Sequence, residues 1–86
     1  MQEQMEALRL RFLERLREEQ SLLGSEPLTD AAVAVHRLAG AAGVFGYAEL
    51  GRRALAVDQA LQSGTPPAAL DIAALAQEIE RVLTHG

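Results

Sequence analysis

The sequence contains no cysteine and no tryptophan, few aromatic residues and no long apolar run. The absence of cysteine excludes disulfide frameworks, thiolate zinc sites and cysteine nucleophiles. Alanine and leucine supply most of the 49% apolar content, which is typical of a helical bundle rather than of a sheet. No segment has the length of a membrane span, and the charged N-terminal stretch MQEQMEALRLRFLERL does not resemble a signal peptide. We therefore expect a cytoplasmic protein that does not bind membranes.

Lysine is also absent, so the basic residues are all arginines, and the net charge is −4. A nucleic-acid binder needs a basic face that neutralises phosphates, and this composition argues against one. The charge thus weighs against a helix-turn-helix interpretation of Arg52 and Arg53.

The length of 86 residues indicates one domain, residues 1–86, and the initiating Met1 favours a free-standing protein. Apolar periodicity predicts four helices, over residues 2–23, 29–45, 47–63 and 68–84. Gly24, Pro27 and Gly46 mark breaks between them, and Thr29 or Asp30 is suited to cap the second. The pattern predicts an all-α, antiparallel up-down four-helix bundle, although the first helix could instead pair with another copy of the chain.

In each predicted helix, apolar residues recur at spacings of three and four and so share one face. The predicted core-facing residues are Met5, Leu8, Phe12, Leu16 and Leu23; Ala31, Val35, Leu38, Ala42 and Phe45; Tyr47, Leu50, Ala54, Val57 and Leu61; and Ile72, Leu75, Ile79, Val82 and Leu83.

His36 lies about 140° around the second helix from the centre of its apolar stripe, so we expect it to point at solvent. Small residues surround it on that outer face. They are Ala32, Val33, Ala39, Gly40 and Gly43. A glycine within a helix costs about 1 kcal/mol relative to alanine, and core packing cannot explain glycines that face outward. We interpret this face as one that another molecule approaches closely. An ordinary surface histidine, or glycines that let two helices dock in a homodimer, are the alternatives.

The stretch HRLAGAAGVFGYAELGRRA resembles the signature of histidine-containing phosphotransfer (HPt) domains. In that signature a histidine is followed by a hydrophobic residue at +2, usually lysine at +3, glycine at +4 and often glycine at +10. Here His36, Leu38, Gly40 and Gly46 match, and Ala39 stands where lysine is common. The resemblance implies a four-helix bundle with the phosphoacceptor histidine on its second helix.

The resemblance further implies that Nε2 of His36 carries a phosphoryl group between receiver-domain aspartates in a bacterial two-component phosphorelay. The implied partners are response-regulator receiver domains, a hybrid histidine kinase, or both. They would dock on Ala32, Val33, Gly40 and Gly43. We expect a phosphocarrier that is a monomer rather than a homodimer. The sequence has no Gly-rich nucleotide loop and no carboxylate cluster near His36, so we expect neither kinase activity nor a metal or cofactor of its own. The receiver would hold the Mg²⁺.

Ala39 leaves open which group neutralises the phosphoryl charge. Arg37 and Arg53 are candidates, and both also fit as ordinary solvated arginines. A helical interaction module that binds receivers or kinases without accepting phosphate, or that only dimerises, therefore remains the alternative function. A hydrolase is disfavoured, because Asp58, Asp71 and His85 have no evident partner and are expected at the surface.

Overall fold

The computed structural model describes residues 2–24 and 29–85, which form four helices. Helix α1 continues into a 3-10 turn at Ser21–Gly24, and α2 continues into another at Ala42–Phe45. The helices are α1, Gln2–Gln20; α2, Thr29–Ala41; α3, Ala48–Gln62; and α4, Ala69–His85. The described residues contain no strand, and none of their helices is long and apolar enough to cross a membrane.

The helices pack in the predicted antiparallel order. Helix α2 packs closely on α3, α3 on α4, and α1 on α4 of the same chain. Gly51 lies where α3 meets α2, and a Cβ atom there would be in ordinary contact with the Cβ atom of Ala42, at 3.6 Å. Gly51 lies beside Ala42, whereas Asp58, later on α3, contacts His36, earlier on α2, so the two helices run in opposite directions. The all-α four-helix bundle is confirmed.

The core forms where the predicted stripes of the four helices meet. Its buried members are Leu16, Ala31, Val35, Leu38, Ala42, Leu50, Ala54, Val57, Leu75, Ile79 and Val82. The prediction was wrong for Met5 and Leu8, whose exposed fractions are both 47%. The ring of Phe12 stacks on Phe45 and Tyr47 at the corner between α2 and α3. Met5 lies about two helical turns before Phe12 on α1. Fewer helices are close enough to bury the side chains of these first turns.

Two helix ends differ from the prediction, because the last turns of the first two segments tighten from α to 3-10 geometry. The predicted stop at Gly46 is confirmed: its φ is +87°, and its N–H donates to Gly43 O at 3.1 Å. The predicted break at Pro27 and the capping side chains of Thr29 and Asp30 lie outside the described residues.

Gly46→Ala should lower the free energy of unfolding by about 1 kcal/mol, because a Cβ atom is disfavoured at positive φ. Apart from the glycine and its adjacent backbone, no heavy atom lies within 4 Å of the position that this Cβ would take, so the cost is conformational and not a clash. Gly40→Ala is the matched control, because Gly40 also has open space but lies within α2. There alanine should stabilise the protein by up to about 1 kcal/mol. Urea denaturation measures both changes, and equal losses at the two positions would contradict this account.

Candidate functional site

The candidate site lies on the outer face of α2, where the apolar stripe of the helix turns His36 away from the core. The side chain of His36 is 67% exposed, which confirms the predicted orientation. Val33 lies about one turn before His36 and Val44 about two turns after it, and 72% and 68% of their surfaces are exposed. Gly40 and Gly43 are exposed between them, whereas Ala32 and Ala39 are half-buried. The result is a low, largely apolar surface with one imidazole on it.

A carboxylate from α3 holds one side of the imidazole ring. His36 Nδ1 lies 3.2 Å from Oδ1 and 3.1 Å from Oδ2 of Asp58. Asp58 itself is only 6% exposed, so its carboxylate is buried beneath the ring. The expectation that Asp58 is an unpartnered surface residue was therefore wrong. Asp71 and His85 are exposed, as expected.

A signal for the burial of Asp58 was present in the sequence. Asp58 follows Ala54 by four residues, so it lies only about 40° around α3 from that buried position. A carboxylate so close to the apolar stripe needs a partner, because an unpaired buried charge is costly. Periodicity alone identifies this need but not the partner.

Gln62 completes the contacts and was also missed from the sequence. Its Nε2 lies 3.4 Å from Asp58 Oδ1 and 3.4 Å from His36 Nδ1. The amide NH₂ group can only donate, and the ionised carboxylate can only accept. Both contacts of Asp58 are therefore satisfied when Gln62 and the Nδ1–H group of His36 donate to it.

This arrangement selects one form of the neutral imidazole. With the proton on Nδ1, the lone pair is on Nε2, the nitrogen opposite the carboxylate contact. The carboxylate also stabilises positive charge on the ring, as it does for an imidazole that acts as a base beside a nucleophile. The site can thus supply an oriented nitrogen nucleophile whose ring tolerates a positive charge once Nε2 forms a bond.

The two candidate arginines are engaged elsewhere. Arg37 pairs with Glu19 of α1, whose side chain is only 10% exposed. Arg53 donates to Glu49 one turn earlier on α3, at 2.9 Å. A hydrogen bond from Arg52 lowers the pKa of Glu49, so this carboxylate is ionised and attracts both neighbouring arginines. The role of either Arg37 or Arg53 beside a phosphoryl group stays a prediction.

Metal ligation is a separate question from nucleophilic attack. The contact pairs one histidine with one carboxylate, and residues 2–24 and 29–85 contain no group of three or more histidine or acidic side chains suited to hold a metal ion.

A comparison with known protein families gives a match over nearly the whole chain. The family model described as the Hpt domain matches residues 1–85. No curated protein and no solved structure matches the chain. The match confirms the resemblance seen in the stretch that contains His36.

Proposed function

Because this chain belongs to the Hpt domain family of phosphotransfer modules in two-component signalling, we propose that His36 accepts a phosphoryl group from one receiver-domain aspartate and passes it to another. The observation that supports this most directly is the contact of His36 Nδ1 with the buried carboxylate of Asp58, at 3.1 Å. It leaves Nε2 as the nucleophilic nitrogen on an exposed helix face.

The proposed reaction has two balanced steps. The lone pair of Nε2 forms a bond to phosphorus, and the phosphorus–oxygen bond of the receiver's acyl phosphate breaks, which returns a carboxylate to the receiver. His36 keeps the Nδ1 proton, and Asp58 stabilises the positive ring. In the second step a receiver carboxylate attacks phosphorus, and the electron pair of the phosphorus–nitrogen bond returns to Nε2. In this reaction the receiver holds the Mg²⁺ that neutralises the phosphoryl charge.

The surroundings of His36 fit such a docking partner. Val33 and Val44 present apolar contact area on either side, and the exposed glycines between them allow a close approach. Phosphoryl transfer depends on in-line positioning of the two reacting groups, so a partner must come within a few ångströms of Nε2. A receiver domain that binds this face brings its aspartate to the imidazole.

A docking module that binds receivers without accepting phosphate is the second candidate, and Ala39 favours it. A cation one turn from the histidine would stabilise the phosphoryl group, and alanine provides none. The two candidates differ in whether His36 becomes labelled.

The test is transfer of radiolabel from a panel of phosphorylated receiver domains to the purified chain. The expected result is label that is labile in acid and stable in base, and that mass spectrometry maps to His36. Receivers that bind the chain without transferring label would instead support the docking module.

Ala39→Lys should move the transfer equilibrium towards phosphorylated His36 by about fivefold. The reason is that a partly exposed ion pair contributes about 1 kcal/mol. The measurement is the partition of label between chain and receiver at equilibrium. Ala39→Met is the control of similar length without charge. An equal shift with methionine would show that the charge is not responsible.

A further inference from the structure

The seam between α1 and α2 is the open side of the bundle. Helix α1 approaches α4 more closely than it approaches α2. Side chains bridge the seam at two levels, through the stacked rings of Phe12 and Phe45 and through the ion pair of Glu19 with Arg37. Between these two contacts lies a groove of about 210 Å³.

The groove combines an apolar floor with an arginine rim. Phe12, Leu38 and Phe45 contribute to the floor, together with Leu8, which is 47% exposed. Arg11, Arg15 and Arg37 line the groove, and Glu19 is the one acidic residue that does so. Three arginines against one glutamate give this groove a local positive charge on a chain whose net charge is −4.

The arginine charge is only partly neutralised within the chain. Glu19 pairs with Arg37 and also lies 3.5 Å from Arg15, so one carboxylate serves two guanidinium groups. Arg11 is exposed one turn before Arg15 on the same side of α1. An acidic group on another molecule would therefore find unsatisfied positive charge along the rim.

The groove is continuous with the face that carries His36. A second, more open depression follows the same seam past Glu19 and Arg37 to Val33. Val33 precedes His36 by three residues and lies on the same outer face of α2. A partner seated over His36 thus has direct access to the arginine rim without crossing the bundle.

The size of the groove favours a protein partner over a small ligand. Sites for small molecules usually measure about 300–1,000 Å³, whereas this groove has about 210 Å³. That volume suits one large apolar side chain, with the arginines available to the residues on either side of it. Helix or loop segments commonly anchor in grooves in this way.

We infer that the α1–α2 groove is a second contact surface for the receiver that docks on His36, and that it takes an acidic segment carrying one large apolar side chain. This inference rests on the proposed function. The groove contributes to the choice among receivers, because charged rims determine which partners associate and how fast. It takes no part in the chemistry at Nε2.

The experiment measures the affinity of a panel of purified, unphosphorylated receiver domains for the chain, by calorimetry at low and moderate salt. Arg11→Glu should weaken the binding receivers about fivefold and reduce the salt dependence. Arg17→Glu is the matched control, since Arg17 is exposed about 180° around α1 from Leu8. Ala41→Phe, which fills the groove without changing charge, should weaken binding about tenfold.

The outcomes separate the two proposals. Equal effects of Arg11→Glu and Arg17→Glu, together with unchanged binding by Ala41→Phe, would overturn the groove and leave the relay at His36 intact. Failure of every receiver to bind the native chain would overturn the proposed function, and the occupant inferred for the groove with it.

Discussion

Replacing His36 by glutamine should abolish phosphorylation of the chain and leave its fold unchanged. A glutamine amide has no nucleophilic nitrogen, so no phosphoryl bond can form at this position. Because the side chain of His36 is 67% exposed, its removal takes little from the core. We expect the free energy of unfolding to change by no more than about 0.5 kcal/mol. The glutamine amide can also donate to Asp58, which keeps the buried carboxylate partnered.

The measurement compares label from phosphorylated receivers on native protein, His36→Gln and His85→Gln. His85 is the matched control, because it is exposed at the last turn of α4 and is the other histidine of the sequence. Native protein and His85→Gln should carry equal label, and His36→Gln none. Label retained by His36→Gln, or lost from His85→Gln, would place the phosphoacceptor elsewhere.

Removing the carboxylate of Asp58 should have the next largest effect. We expect Asp58→Ala to slow single-turnover transfer by about 10- to 100-fold, since an orienting carboxylate fixes the reactive tautomer and stabilises the charged ring. Asp58→Asn should lie between alanine and native protein, because its amide oxygen still accepts from Nδ1–H but carries no charge. Saturating receiver concentrations separate this effect from docking, which should not change.

Nitrogen-15 chemical shifts of His36 distinguish positioning from a general loss of structure. In native protein the neutral ring should carry its proton on Nδ1, and in Asp58→Ala the population should move towards Nε2–H. Asp71→Asn is the control, because Asp71 is an exposed aspartate in the first turn of α4. If transfer by Asp58→Ala were as fast as that by native protein, Asp58 would have only a structural role.

The orientation of His36 could be predicted because it depends on one helix alone. The core stripe of Ala31, Val35, Leu38 and Ala42 fixes which side of α2 faces inward, and every other residue of the helix follows from its 3.6-residue period. The pairing with Asp58 depends instead on two helices, because His36 and Asp58 are 22 positions apart in the sequence. Their relative register depends on the turn at Gly46 and on how α3 packs against α2 at Gly51, and neither is visible in the period of a single helix.

The difference between the pattern of one helix and the packing of several also explains why the predicted burial of Met5 and Leu8 was wrong. Periodicity correctly placed Met5 and Leu8 on the side of Phe12 and Leu16, because they continue one stripe. The apolar period of α1 carries no information on whether another helix packs against the turns that contain Met5 and Leu8. The corner formed by Phe45 and Tyr47 meets α1 at Phe12, so the stripe continues beyond the helices that could cover it.

The corner at Tyr47 also determines how the protein can be observed spectroscopically. Tyr47 is the one tyrosine of a sequence without tryptophan, so it accounts for nearly all of the intrinsic ultraviolet fluorescence. Its ring stacks on Phe12 at a centroid distance of 5.7 Å, and its hydroxyl lies 3.2 Å from Arg9, both on α1. The emission therefore originates where α1 joins the α2–α3 corner, and it reports the attachment of that helix without any introduced label.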